Sequence, residues 1–133
     1  MIKILKYFIV FLFLLSATAK LIDFNSTVNF YISNTGISYN ITKTSIVIVI
    51  LTELFIAVTI FTDLICVKNV FLFITITIIL FTLSNIVFLI LGLDNCGCFG
   101  TILKIGPVES IGKNILLIIL LIILRKKMLK KQN

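Results

Sequence analysis

Histidine and tryptophan are absent from this 133-residue chain, proline occurs once, and only five side chains are acidic. Without histidine there is no His-based triad, no ordinary His general acid or base, no His-ligated zinc and no CxxCH haem attachment. Without tryptophan, any aromatic belt at a membrane surface rests on Tyr and Phe. A closed zinc site needs about four ligands, and beyond its two thiols the cysteine-bearing loop offers only Asp94 and Glu109. No metal site is assigned on this pattern. The net charge is +7, yet no basic stripe interleaves with exposed aromatics. The basic residues gather at the chain ends, in Lys3, Lys6, Arg125-Lys126-Lys127 and Lys130-Lys131. That is a topology signal and a headgroup contact, so no nucleic-acid partner is expected.

What the chain has in excess is hydrocarbon. Sixty per cent of it is hydrophobic, against about 45–50% in soluble domains, and the mean hydropathy is +1.26. The apolar residues come in runs, not periodic faces, which reads as membrane. The length allows one bundle and no separate soluble domain. The expected fold is all-α, a single transmembrane domain over 1–133 with four spans, at about 4–22, 44–62, 70–91 and 107–124. Connectors 23–43 and 92–106 lie at one end. The first is polar, interrupted by aromatic and aliphatic residues, and suits a partly helical segment on the membrane surface. Pro107 suits the first turn of the last helix. The first run has a rival reading as a cleaved signal peptide, with Lys3 and Lys6 ahead of the apolar stretch and Ala17-Thr18-Ala19 as a cleavage pattern.

With four spans both termini share one side. That side collects Lys3, Lys6, Lys68, Arg125, Lys126, Lys127, Lys130 and Lys131. The other holds Lys20, Lys43, Lys104 and Lys113. The positive-inside rule then places both termini in the cytoplasm and the 92–106 connector outside, on the face where disulfides persist. Cys66, in the turn between the second and third spans, falls a bilayer thickness away from that connector.

The chemistry concentrates in Asn95-Cys96-Gly97-Cys98-Phe99-Gly100. A disulfide needs Cα atoms about 4.4–6.8 Å apart, which residues i and i+2 meet only if the backbone bends. Gly97 permits that bend, and Gly100 keeps the loop compliant. A bridge this short closes almost no loop and adds little entropic stability. Strained, exposed disulfides are the exchangeable ones, so the motif favours exchange over stapling. Two other readings stay open: an inert clip, and a thiolate pair for Cu(I).

Several polar residues stand inside the apolar runs. Glu53 is near the middle of the second, where a charge costs roughly 2.5–3.5 kcal/mol on insertion scales. It is either a proton-handling group near the reaction site or an interhelical tether. Lys20 ends the first run; it either snorkels to the headgroups or faces Cys96 and Cys98 and favours a thiolate. The two differ in depth by about 10 Å at 1.5 Å per residue, so a direct pair requires reach or tilt. Asn114 can hydrogen-bond across helices, as can Ser84 and Asn85. Glu109 and Lys113 are spaced to pair at i,i+4.

Ser16-Ala17-Thr18-Ala19-Lys20-Leu21 closing the first run, Glu53 in the second, Asn95 to Gly100 ahead of the fourth and Lys113-Asn114 within it together resemble the MauE/DoxX-like family of small four-helix membrane proteins, in its methylamine-utilisation MauE branch. The resemblance covers nearly the whole chain and implies that the first helix is retained. It implies a place in the bacterial cytoplasmic membrane and a role in thiol–disulfide handling that matures exported proteins. The implied partners are a thioredoxin-like exported protein or a disulfide-containing client, as in methylamine dehydrogenase maturation. Cys96 and Cys98 are the expected redox pair, with Lys20, Glu53 and Asn114 supporting and Gly97, Phe99 and Gly100 shaping the loop. No bound cofactor is evident; a membrane quinone is the candidate electron acceptor. A non-enzymatic accessory subunit with a structural CxC, or a Cu(I)-binding membrane protein, is the alternative.

Overall fold

The computed structural model describes residues 2–66, 68–97, 99 and 105–132. Five α-helices occur in the order α1 (Ile2–Ile22), α2 (Phe24–Thr35), α3 (Tyr39–Phe61), α4 (Lys68–Ile90) and α5 (Pro107–Gln132), with one turn of 3-10 helix at Leu64–Cys66 between α3 and α4. There is no strand among the described residues. The four long helices have 21, 23, 23 and 26 residues. At about 1.5 Å per residue each reaches across a ~30 Å hydrocarbon core, and all four are apolar enough to do so. Phe11, Leu51, Leu80, Leu83 and Leu116 point outward, so the lipid side is as apolar as the packed side.

Helix α1 packs along α3 and α5 along α4, and an α1–α5 contact joins the two pairs. Helix α2 lies across the end of the α1–α3 pair, at the same end of the bundle as the connector between α4 and α5. The far half of the interior is dry, built from Ile9, Phe13, Ile56, Ile60, Ile74, Ile78, Leu121 and Leu124. The near half has a smaller apolar cluster of Ala17, Val28, Ile46 and Ile50, and among these elements sit the buried polar residues Ser16, Lys20, Thr42, Glu53, Asn85, Ser110 and Asn114.

Helix limits depart from the apolar runs. Helix α2 fills 24–35 of the connector expected to be a partly helical surface segment, and α3 starts at Tyr39, ahead of the span start near Thr44. Helix α5 continues to Gln132, past Leu124 where its apolar run ends. Hydropathy marks the zone that must avoid water, whereas a helix continues as long as its backbone bonds are satisfied. Pro107 is the first residue of α5, where its missing N–H has no intrahelical acceptor to lose. Helix α4 ends in a Schellman motif: Gly92 takes φ +69, Gly92 N–H donates to Leu89 O at 3.1 Å and Leu93 N–H to Phe88 O at 3.1 Å. At the far end, Asp63 in the left-handed region (φ +64) accepts from Lys6 Nζ at 2.6 Å, tying α1 to the α3–α4 turn.

Candidate functional site

Two features share the near end of the bundle: the cysteine loop and a buried cluster of charges beneath it. Lys20 Nζ donates to Glu53 Oε1 at 2.8 Å and Oε2 at 3.1 Å, and to Ser16 Oγ at 2.8 Å. Ser16 Oγ donates to Glu53 Oε1 at 2.8 Å, closing a three-membered network. The side chains of Lys20 and Glu53 are 5% and 6% exposed, so the pair is desolvated and any isolated member would be costly. The reach that a direct pair requires comes from side chains leaning toward the N-terminus of their own helix. Helices α1 and α3 are antiparallel, so Lys20 leans down one turn to Ser16 while Glu53 leans up to meet it.

The loop is tied from three directions. Cys96 N–H donates to Ile105 O at 3.0 Å, which pins its two ends together. Gly97 N–H donates to Asn95 Oδ1 at 3.0 Å. Tyr31 of α2 donates its hydroxyl to Cys96 O at 3.2 Å. Gly97 has φ +65, and a Cβ there would sit 2.9 Å from Tyr31 Oη. Both the conformation and the space call for glycine. Cys96 is disulfide-bonded and 0% exposed; its partner lies outside the described residues, as do Cys98 and Gly100. The expectation of an exposed bridge is corrected for Cys96, because α2 presents Tyr31 to the loop. The side chain of Cys66 is likewise outside the description, but its backbone lies at the other end of the 23-residue α4, about 35 Å away at 1.5 Å per residue.

Phe99 is buried (4% exposed), and Lys113 Nζ stands 4.4 Å from its ring centroid, a cation–π contact. Lys113 does not pair with Glu109. Glu109 instead accepts from Gly106 N–H at 3.2 Å, the N3-to-N-cap half of a capping box, and this leaves Lys113 turned into the bundle. Asn114 does bond across helices, Nδ2 to Thr82 Oγ1 at 3.3 Å, and Asn85 Nδ2 donates to Ser110 Oγ at 2.9 Å. Both link α4 to α5. Ser84 does not, since its hydroxyl donates to Leu80 O within its own helix.

Between these features lies a cavity of about 240 Å³, lined by Lys20, Tyr31, Glu53, Phe88, Lys113 and Asn114 among others. Tyr31 is thus shared: its ring walls the cavity and its hydroxyl holds the loop. Burial first, and the Glu53 carboxylate second, push the Tyr31 phenol up to about 12, so it is a neutral donor throughout the physiological range.

A model for the family described as methylamine utilisation protein MauE matches residues 1–126. The chain belongs to the MauE family. No curated protein and no solved structure matches it. The MauE match extends from α1 into the last turns of α5, so it contains the Lys20–Glu53 pair, the cysteine loop, Lys113 and Asn114. By family and by its four apolar helices the chain is a membrane protein linked to methylamine utilisation.

Of the residues picked from sequence, Lys20 and Glu53 come together, Asn114 lines the same cavity, and Phe99 reaches it from the loop by way of Lys113. Lys20 is not free to serve as a lone cation for a thiolate, because Glu53 and Ser16 hold it. Tyr31 and Thr42 were missed. No sequence signal marks Tyr31, one of several aromatic residues in a polar connector, whereas Lys113 carried the signal of a charge inside an apolar run.

Proposed function

We propose that this protein is a membrane thiol–disulfide redox protein in which Cys96 and Cys98 form the working pair. The observation that carries the reading is the disulfide at Cys96, in a glycine-bent loop held by a few releasable hydrogen bonds. Cys98 is one residue from Gly97, and Cys66 is a helix length away. In the forward step a client thiolate attacks one sulfur of the bridge and the other leaves as a thiolate. The client's second thiol then resolves the mixed disulfide, so the client is oxidised and Cys96 and Cys98 are reduced. The client is an exported disulfide-containing protein or a thioredoxin-like carrier, as the methylamine dehydrogenase system suggests.

The bacterial cytoplasmic membrane is the proposed location, with both termini inside and the cysteine loop outside. Charge supports this more strongly in three dimensions than in sequence. Lys20 and Lys113 point into the bundle, which leaves Lys43 and Lys104 on the outer side against eight basic residues on the inner.

The burial of Cys96 favours a second reading, an accessory subunit in which the bridge is a structural clip. Single Cys96→Ser and Cys98→Ser variants separate the two. Exchange predicts that at least one traps a mixed disulfide with an exported protein, resolved on a non-reducing gel and lost on reduction. If neither traps anything and the double Ser variant supports client maturation normally, the clip reading stands.

A further inference from the structure

The cavity beneath the cysteine loop has no role in disulfide exchange as such. Its volume of about 240 Å³ far exceeds the ~10–15 Å³ that one water needs on this measure. Its walls are mainly apolar and include Ile46, Val49, Phe81 and Phe88. Two polar groups on it have capacity to spare, Thr42 for a hydrogen bond and Lys113 for a counter-charge beyond its contact with the Phe99 ring. Thr42 is 5% exposed, yet its hydroxyl has no hydrogen-bond partner. Its neighbours Thr44, Ser45 and Thr52 all donate to the carbonyl four residues back, so Thr42 departs from the local habit. Lys113 has no carboxylate within 4.0 Å among the described residues. Among the described residues around the cavity, two ammonium groups, Lys20 and Lys113, stand with one acid, Glu53. A ligand that completes this site has a flat or aliphatic body for the walls and electron-rich oxygens for the lysine and the threonine.

Oxidising clients leaves Cys96 and Cys98 as thiols, and the chain needs an acceptor of two electrons and two protons to restore the bridge. We propose that the cavity binds the headgroup of a membrane quinone, with one carbonyl oxygen toward Lys113 and Thr42 and the ring between Phe81 and Phe88. The assignment rests on the exchange reading for its purpose, though not for its geometry. The two thiols lose two electrons and two protons as the S–S bond forms; the quinone takes up both and becomes the hydroquinone. Tyr31 places the two reactions side by side, since it lines the cavity and bonds to Cys96 O.

The test uses the full chain in lipid nanodiscs and a short-tailed azido-ubiquinone as photoprobe. The expected label falls on α3 near Thr42–Val49 and on α4 near Phe81–Phe88, competed by decylubiquinone and not by palmitate. Lys113→Met should weaken decylubiquinone binding by at least about tenfold, the size of one charge-assisted hydrogen bond. Thr42→Val, nearly isosteric, should weaken it about two- to tenfold on the neutral-bond scale. The same labelling in a Cys96→Ala/Cys98→Ala chain supports the site without reference to redox. Label spread over lipid-facing surfaces, or competition by palmitate alone, overturns it; the latter makes the cavity an acyl-carboxylate site. Specific labelling with no quinone-dependent oxidation of the thiols leaves the site standing and sinks the exchange reading.

Discussion

Tyr31 and Cys96 are held together across 65 residues of sequence by one hydrogen bond, from the phenol to the Cys96 carbonyl at 3.2 Å. The same ring stacks at a tilt on Phe88, with centroids 5.6 Å apart. Helix α2 therefore works as a cover over the loop, fastened at Tyr31. A redox partner that is to reach Cys96 must first loosen that fastening.

Tyr31→Phe keeps the ring and removes the bond, a loss of about 0.5–1.5 kcal/mol. Opening of the cover should become roughly two- to tenfold more frequent. The expected outcome is faster reduction of the Cys96 bridge by a membrane-impermeant phosphine, followed by faster thiol labelling. Equal reduction rates in the two proteins would contradict the cover.

The buried phenol also gives a pH signature. With Tyr31 pushed up to about 12 from its ordinary value near 10, the folded state holds the proton more tightly than the unfolded state. Its contribution to stability is complete below pH ~10 and is lost as pH rises toward ~12. A phenolate absorbance step near pH 12 should be present in the wild type and missing in Tyr31→Phe.

Gly97→Ala places a Cβ at φ +65, 2.9 Å from Tyr31 Oη. The left-handed conformation alone costs about 1–2 kcal/mol, and the contact adds to it. The loss, read as a lowered midpoint in thermal unfolding in detergent, should be partly relieved by Tyr31→Ala. The two substitutions share a contact and should not add.

How far these relationships were readable beforehand differs by residue. The four long apolar runs specified the helices, since a lipid-spanning segment has few other ways to satisfy its backbone. A bend at Gly97 was expected from two cysteines one residue apart, and Gly97 takes φ +65. The Lys20–Glu53 pair was visible as two isolated charges that could meet with reach or tilt, and the reach comes from the opposite lean of side chains on antiparallel helices. Helix α2 was legible only as a partly helical surface segment, without its limits or its contacts. Its residues are of mixed polarity, and what fixes it is tertiary: Val28 is fully buried in the Ala17–Ile46–Ile50 cluster and Tyr31 meets the loop. The inward turn of Lys113 depended on Glu109 being drawn to Gly106, a competition that i,i+4 spacing does not reveal.

The Lys20–Glu53–Ser16 network should behave as a coupled unit. Removing one partner, in Lys20→Met or Glu53→Leu, leaves the other buried without its counter-charge, at about 3–5 kcal/mol. The double variant Lys20→Met/Glu53→Leu removes both charges and should recover most of that loss. Unfolding by titrated denaturing detergent measures each variant. A double variant as unstable as the sum of the singles would show that the pair is not what each charge depends on.

Orientation is open to a direct check at the two exposed lysines Lys43 and Lys68, which sit near the first residues of α3 and α4 and so at opposite ends of the bundle. In a chain whose three native cysteines are replaced by Ala, Lys43→Cys should react with an impermeant maleimide in intact cells, whereas Lys68→Cys should react only after the membrane is opened. The argument for this outcome is electrostatic. Eight basic residues belong to the far end, and with Lys20 and Lys113 turned inward only Lys43 and the connector residue Lys104 are left to count at the near end, so the positive-inside rule predicts a cytoplasmic far end. The reverse labelling pattern would put the Cys96 loop in the reducing cytoplasm, where a bridge with no loop-closure advantage would not persist. The exchange reading would then have to give way to one in which the two thiols stay reduced.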